Sequence, residues 1–183
     1  HYNTENITQE DFVEAANVVK PYAEAMDKIG EEFSPSFFEY MTAMYFYLTN
    51  VKGVEYGSVE VGLGGRFDST NVITPQVSVI STISLEHTNV LGNTVEEIAF
   101  EKAGIIKPEK PVVIGEMPEG AKQVIRNIAA QRGSKIYEFG KDFSAEVVEH
   151  SFNKNVYNYH GEHDISNIQV QLNGRHQLYN FAV

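Results

Sequence analysis

Residues 59–68 read Val-Glu-Val-Gly-Leu-Gly-Gly-Arg-Phe-Asp, and residues 77–85 read Val-Ser-Val-Ile-Ser-Thr-Ile-Ser-Leu, shortly before His87. The first run predicts a strand over residues 56–63, and the β-branched second run predicts a central parallel strand. Each predicted strand carries an ionisable residue near its end, at the edge where an open α/β sheet holds its ligands. These two runs therefore predict both the type of fold and the place of the site.

The alternation of strands and helices continues through the middle of the chain. Thr94, with Glu97 three residues later, predicts a capped helix through Ala103 that ends at Gly104. A strand is predicted at residues 111–114, a helix at residues 120–132 and another strand at residues 135–139. This order predicts an α/β fold with a mostly parallel, doubly wound sheet. Short β-like runs then predict a small antiparallel β edge toward the C-terminus, at residues 145–148, 156–160 and 165–172.

The N-terminal region reads as helical. Thr8 and Asp11 predict a capping box, and Pro21 predicts a break or kink before a second short helix over residues 22–29. Ser34-Pro35 predicts the start of the next helix. Its residues are apolar almost all round, which predicts a helix buried against a sheet, with its aromatic side chains in the core or in a pocket wall.

Composition excludes several classes of protein. The 183 residues suffice for one domain or most of one, and 14 Lys+Arg against 25 Asp+Glu give a formal net charge of −11. Such a charge repels nucleic acids and anionic membranes, so we expect neither as a partner, whereas a cation is expected. Without cysteine there is no disulfide framework, zinc–thiolate site or thiol nucleophile. No apolar run reaches about 18 residues, so we expect a soluble cytoplasmic protein.

Glu60 and His87 are the candidate metal ligands. If both faces of the sheet are covered, Glu60 is a buried carboxylate that needs a cation or a hydrogen-bond donor. Glycines 62, 64 and 65 permit close approach of backbone or ligand, although they lack the spacing of a dinucleotide fingerprint. His87 is either an ordinary histidine or a ligand, and imidazole is more usual for Zn²⁺ or Mn²⁺ than for Mg²⁺.

Three lysines follow in the predicted helix and beyond it. Lys102 lies in the last helical turn, where a cation interacts favourably with the helix dipole, and Lys107 and Lys110 read as solvated surface charges. The cluster at residues 160–164 could bind a metal, but its turn-like neighbours favour a solvated hairpin loop.

Three runs carry a family resemblance. They are Glu-Val-Gly-Leu-Gly-Gly-Arg-Phe-Asp-Ser-Thr-Asn at 60–71, Ile-Ser-Leu-Glu-His-Thr at 83–88, and Ile-Ala-Phe-Glu-Lys-Ala-Gly-Ile-Ile-Lys at 98–107. In this order they resemble the central-domain motifs of folylpolyglutamate synthase and dihydrofolate synthase, which belong to the Mur-ligase superfamily. Weaker similarity extends from residue 7 to Gly174-Arg175-His176-Gln177-Leu178-Tyr179-Asn180, where a helix is expected to begin.

The resemblance implies a function and a set of roles. The implied reaction transfers the ATP γ-phosphoryl group to a folate or dihydropteroate carboxylate, and glutamate then attacks the acyl phosphate. It implies that Glu60 and His87 bind Mg²⁺ and that Lys102 is carbamylated and acts in catalysis. It also implies that Asn180 approaches the nucleotide. The residues implied to line the pterin side of the substrate pocket are Ser36, Phe37, Phe38, Glu39, Phe67, Asp68 and Ser69.

The chain departs from the family pattern in four respects. Glu86, Phe67 and Phe181 stand where Asp, Leu and Ala are usual, and no Gly-x-x-x-x-Gly-Lys-Ser/Thr phosphate loop occurs in the 183 residues. We therefore expect residues 1–183 to be part of a central ATP-binding ligase domain, without the phosphate loop or the C-terminal domain, and inactive alone. Two alternatives are another Mur-type ligase and a non-catalytic nucleotide- or folate-binding module. The sequence leaves the oligomeric state open.

Overall fold

The computed structural model of the chain describes residues 2–151, 154–172, 174 and 176–183. Arg175, in the expected helix entry, lies outside these ranges. The chain divides into two compact units, residues 1–62 with 68–72 and residues 63–67 with 73–183. Within the described ranges, no helix combines the length and the apolar character needed to cross a membrane.

Helix α1 of the first unit spans Gln9–Asp27. The predicted capping box is confirmed, because the Asp11 backbone N–H donates to Thr8 Oγ1 at 3.1 Å and the Thr8 N–H donates to Asp11 Oδ2 at 3.4 Å. Of the break or kink predicted at Pro21, the break is wrong, since α1 continues through Pro21 as one helix. A proline removes one backbone donor, and the turns on either side maintain this helix.

Helix α2 spans Phe37–Val51 and begins two residues later than predicted. Its N-cap is Ser36 rather than Ser34. Within the first unit the helix packs on α1, around a small core of Ala15, Met44 and Leu48. The remaining apolar residues of α2 are partly or fully exposed, so the prediction of a helix buried against a sheet is wrong within this unit.

The second unit contains a parallel sheet of three short strands. These are β1 (Ser78–Ile80), β2 (Val112–Ile114) and β3 (Ile136–Glu138), hydrogen-bonded in that order. Ser78 lies opposite Val112, and Val112 opposite Ile136. The parallel α/β arrangement is confirmed. However, β1 is shorter than the predicted strand at 77–85 and lies at the edge of the described sheet rather than at its centre.

Helices connect these strands and supply most of the core. They are α3 (Thr88–Leu91), α4 (Val95–Lys102) and α5 (Glu119–Gln131), and a 3-10 turn at Ala103–Ile105 extends α4. The predicted capping box of Thr94 and Glu97 is confirmed. Fully buried side chains from α4, β2, α5 and the residue after the 3-10 turn meet in one hydrophobic cluster, and these include Ile98, Ile106, Val112, Ile114 and Ile125.

The C-terminal strands are antiparallel, as predicted, and they form a sheet of their own rather than an edge of the parallel sheet. It consists of β4 (Ser144–His150), β5 (Asn155–His160) and β6 (Ile165–Val170), and helix α6 (Gln177–Ala182) follows. The β5–β6 turn contains the cluster at residues 160–164. His160 is half-buried and the next residues are exposed or partly so, which confirms a hairpin loop.

Residues 56–63 form no strand, so this prediction is wrong. Tyr56 is 92% exposed and Leu63 is 40% exposed. A strand needs a neighbouring strand to bond its backbone groups, and none of the described strands pairs with this segment. Glu60 is exposed as a result, and the predicted burial of its carboxylate is also wrong.

Candidate functional site

The loop of residues 63–67, which we call the glycine loop, lies against the end of α4 in the second unit. Gly64 has a φ of +68°, in the left-handed region that favours glycine. A Cβ on Gly65 would lie 2.7 Å from the Lys102 carbonyl oxygen and 2.8 Å from that of Glu101. The close approach predicted for the glycines is therefore, at Gly65, an approach to the backbone of α4.

Arg66 joins the glycine loop to Glu101 through both backbone and side chain. Its backbone N–H donates to the Glu101 carbonyl oxygen at 2.9 Å. The guanidinium donates from Nε to Oε2 at 3.1 Å and from Nη2 to Oε1 at 2.7 Å. It also lies over the rings of Phe67 and Phe100, at 4.2 and 5.1 Å from their centroids. The hydrogen bonds to Glu101 raise the pKa of Arg66.

Lys102 is the last residue of α4 and has an anionic partner. Its Nζ lies 3.0 Å from Glu86 Oε1, and the two side chains are 23% and 45% exposed. Lys102 is thus more than a cation near a helix terminus, since a carboxylate from the segment before α3 fixes its amine. Lys107 is partly buried rather than fully solvated. This burial lowers the pKa of its amine, and the positive charge of the nearby Arg132 lowers it further.

His87 occupies the N-cap position of α3 with a φ of +49°. Its carbonyl oxygen accepts the backbone N–H groups of Val90 and Leu91, both at 2.9 Å. Its imidazole is exposed and forms no hydrogen bond within the described part of the chain. Because β1 ends at Ile80, His87 does not stand at a strand end as predicted.

Glu60 lies in the first unit and is also exposed. Its carboxylate forms no hydrogen bond or ion pair with any described residue. Among the described residues no group of three or more His, Asp or Glu is gathered to hold a metal. A carboxylate oxygen nevertheless suits Mg²⁺, which takes one or two protein carboxylates and completes its shell with water and phosphate oxygens. The donor chemistry of Glu60 therefore fits Mg²⁺ better than does that of His87.

Ser36 and Glu39 form the capping box of α2. The Glu39 N–H donates to Ser36 Oγ at 3.2 Å, and the Ser36 N–H donates to Glu39 Oε2 at 2.7 Å. These hydrogen bonds lower the pKa of Glu39. Both residues thus have a structural role independent of any substrate. The aromatic rings that follow are open to solvent, with Phe37 82% and Phe38 42% exposed.

The first unit gathers several predicted substrate residues around the start of α2. The Gly62 N–H donates to Asp68 Oδ2 at 3.1 Å, and the Phe38 ring lies so near that a Cβ on Gly62 would come within 2.5 Å of it. Ser69 Oγ lies 3.0 Å from the hydroxyl of Thr42. The structure therefore places Phe38, Asp68 and Ser69 in one region.

Two predicted residues stand apart from that group. Phe67 belongs to the second unit, is 83% exposed and stacks under Arg66. Asn180 is an exposed residue of α6, and its side-chain amide donates to Gln177 Oε1 at 3.3 Å.

A cavity of about 540 Å³ lies in the first unit between α1, α2 and the segment after α2. Its wall is mostly apolar and includes Ile7, Phe12, Met41, Met44 and Leu48. None of the residues predicted to bind substrate lines it.

Sequence reasoning missed Arg66 and Glu101 as functional candidates. Both stand inside the quoted runs, and their opposite charges were visible, but nothing in the sequence indicated that they meet.

Comparisons with known proteins agree with the motifs. The model of the Mur ligase middle domain matches residues 14–183. The dihydrofolate synthase/folylpolyglutamate synthase of Bacillus subtilis (strain 168) is 46% identical over 129 residues, which are 70% of this chain and 30% of that protein.

Solved structures match nearly the whole chain. Folylpolyglutamate synthase from Thermotoga maritima superposes with a TM-score of 0.90 and 39% identity, over 99% of this chain and 41% of that one. A folylpolyglutamate synthase complex with AMPPCP and folate has a TM-score of 0.90 and 36% identity, over 97% of this chain and 44% of that one. The chain thus spans less than half the length of each of these relatives.

Proposed function

The chain belongs to the Mur ligase middle domain family, and on that premise we propose that the full-length protein is an ATP-dependent ligase. It joins L-glutamate to the carboxylate of a folate or a dihydropteroate. The observation that carries the proposal is the match, over 97% of this chain, to a folylpolyglutamate synthase that binds AMPPCP and folate. The identity to the B. subtilis enzyme supports the same substrate class.

The proposed reaction has two steps. A carboxylate oxygen of the folate attacks the γ-phosphorus of ATP, the bond to the ADP oxygen breaks, and an acyl phosphate and ADP form. The amine of glutamate then attacks the acyl carbon, phosphate leaves, and the nitrogen loses a proton to give the amide. Most of the catalysis in such phosphoryl transfer comes from positioning and from stabilisation of the transferring charge.

In this proposal four residues bind the nucleotide or take part in phosphoryl transfer, namely Glu60, His87, Lys102 and Asn180. Bound Mg²⁺ would supply the positive charge that the transferring phosphoryl group needs, with Glu60 and His87 as its protein ligands. The amine of Lys102 adds to CO₂ and releases a proton, which converts it to a carbamate. An anionic Lys102 can no longer pair with Glu86 and is available to a cation instead. Asn180 contacts the nucleotide.

The folate side is formed by residues from two stretches of chain. The exposed rings of Phe37 and Phe38 offer flat apolar surfaces for a pterin. The Asp68 carboxylate accepts the backbone N–H groups of Gly62 and Thr70 and so fixes Gly62 beside the Phe38 ring. The full set in this proposal is Ser36, Phe37, Phe38, Glu39, Phe67, Asp68 and Ser69.

Residues 1–183 form part of the central ATP-binding domain in this proposal, and the protein acts in the cytoplasm, where ATP is abundant. Its partners are small molecules, namely ATP, glutamate and the pterin substrate. The net charge of −11 disfavours nucleic acid and anionic membrane as partners.

The test is ADP release by the purified full-length protein with ATP, Mg²⁺ and glutamate, in the presence and absence of a folate or dihydropteroate. We expect ADP release to depend on the pterin substrate and to match the amount of glutamylated product found by chromatography. ADP release that requires a different carboxylate would indicate another Mur-type ligase. Binding of ATP and folate without ADP release would indicate a non-catalytic module.

A further inference from the structure

The glycine loop and the end of α4 are held together along their backbones. Besides the Arg66-to-Glu101 hydrogen bond, the two segments interlock through glycines on both sides. Gly65 packs on the carbonyl oxygens of Glu101 and Lys102, and a Cβ on Gly104 would lie 2.4 Å from the Cα of Arg66. A side chain at either glycine would push the loop and the helix apart.

The side chains of Arg66 and Glu101 close the same junction from outside. Two parallel N–H···O bonds between a guanidinium and a carboxylate fix both distance and orientation, which a single ammonium cannot do. The ring of Phe100, the residue before Glu101, supports the guanidinium from one side. The Arg66 side chain is 41% exposed and that of Glu101 is 20% exposed. Because solvent weakens such an ion pair, we expect it to contribute little to the free energy of unfolding, although its geometry is well defined.

Lys102 immediately follows Glu101, the residue whose carboxylate accepts both hydrogen bonds from Arg66. Its carbonyl oxygen packs on Gly65, and its amine lies 3.0 Å from Glu86. The contacts that hold Glu101 against the glycine loop therefore also hold the backbone of Lys102. The backbone hydrogen bond and the glycine packing would persist without the side-chain pair, but the orientation of the end of α4 would be less restricted, and the Lys102 amine would shift with it.

We propose that Arg66 and Glu101 are positioning residues that hold Lys102 in register with the glycine loop during ligation. This inference rests on the proposed function, in which Lys102 acts on the ATP side. A displacement of the order of 1 Å in a catalytic group can cost about 100-fold in rate. The bidentate pair prevents that displacement, and neither of its members is among the residues proposed to bind ATP or folate.

The test compares Arg66→Gln, Glu101→Gln and the double variant in the full-length protein. We expect each single variant to lower kcat by about 10- to 100-fold while the KM values for ATP and folate change by less than about threefold. The double variant should lose no more than either single variant, because the two residues act as one unit. Amide hydrogen exchange in the peptide covering residues 63–67 should quicken in all three variants.

Arg126→Gln is the matched control. Arg126 donates from Nε to the buried Glu138 at 3.0 Å, in an equally bidentate pair that lies on α5 and β3. This variant should lower the melting temperature but leave both kcat and the exchange of the glycine loop unchanged. A kcat within about twofold of wild type in Arg66→Gln and Glu101→Gln, or unchanged exchange in the loop, would overturn the inference. If wild type itself releases no folate-dependent ADP, the proposed function fails, whereas the exchange experiment still shows whether the pair fixes the loop.

Discussion

Lys102 has a cationic form, the ammonium, and a proposed anionic form, the carbamate, and its neighbours stabilise only the cation. As an ammonium it pairs with Glu86 at 3.0 Å and lies at the C-terminal end of α4, where a cation is favoured. As a carbamate it is an anion, which both Glu86 and the helix terminus disfavour. A nearby cation must offset that cost, and the proposed Mg²⁺ is such a cation. The two forms can be distinguished by substitution.

We predict that Lys102→Arg and Lys102→Ala both lower kcat of the full-length protein by about 100-fold or more. Arginine keeps the positive charge and the partner Glu86, but it cannot form a carbamate under these conditions. If the lysine acts only as a cation, Lys102→Arg should retain most of the activity while Lys102→Ala loses it. Steady-state ADP release separates these outcomes.

Lys110→Arg is the matched control for this substitution. Lys110 donates to Gln76 Oε1 at 3.2 Å and has no part in the proposed chemistry. We expect its kcat to equal that of wild type. Mass spectrometry of the native protein in bicarbonate buffer then measures the carbamate directly, and its absence from Lys102 would contradict the modification.

Local signals in the sequence predicted helix starts well and strand formation less well. The capping boxes at Thr8 and Thr94 were correct because a cap depends on residues three positions apart. The start of α2 was misplaced because Ser34-Pro35 offers the same signal as Ser36 with Glu39. The strand predicted at residues 56–63 failed because strand formation depends on a distant partner, which local sequence does not reveal.

At the start of α2, the capping role of Ser36 can be separated from any role with substrate. We predict that Ser36→Ala lowers the free energy of unfolding by about 1 kcal/mol, whereas Ser36→Asn, which also caps helices well, leaves it nearly unchanged. Denaturant unfolding measures both. If the hydroxyl contacts the folate, Ser36→Asn should raise KM for folate despite its normal stability. An unchanged KM would limit Ser36 to capping.

The same capping box makes the stability of α2 depend on pH. The hydrogen bonds from Ser36 lower the pKa of Glu39 from its ordinary value of 4.5. A lowered carboxyl pKa stabilises the folded state above the unfolded pKa, and that contribution is lost as pH falls through the folded pKa. Wild type should therefore have a larger free energy of unfolding than Glu39→Gln at pH 7. This difference should shrink as the pH falls below 4.5 and vanish once the pH is below the lowered pKa of folded Glu39. A difference that persisted in acid would contradict this origin.

For the molecule as a whole, the sequence predicted the α/β class and the family, while contacts between distant residues required the structure. The motifs located the glycine loop and Lys102 because each is contiguous in sequence. The Arg66–Glu101 pair joins residues 35 positions apart, and the Lys102–Glu86 pair joins a helix to a segment before it. Charge alone cannot select such partners in a chain with 25 acidic residues and 14 basic ones. The predicted roles of Glu60, His87 and Asn180 remain predictions.

Ligand-induced stabilisation tests the two sides of the proposed site without turnover. A ligand at 100 times its Kd stabilises the native state by about 2.7 kcal/mol, so AMPPCP with Mg²⁺ and folate should each raise Tm of the full-length protein. We predict that Asn180→Ala reduces the shift caused by AMPPCP alone and that Phe38→Ala reduces the shift caused by folate alone. Phe33→Ala is the control, because Phe33 is 49% exposed, close to the 42% of Phe38, and has no proposed role. If Phe33→Ala and Phe38→Ala reduce the folate shift equally, the loss reflects general destabilisation, and Phe38 has no specific part in folate binding.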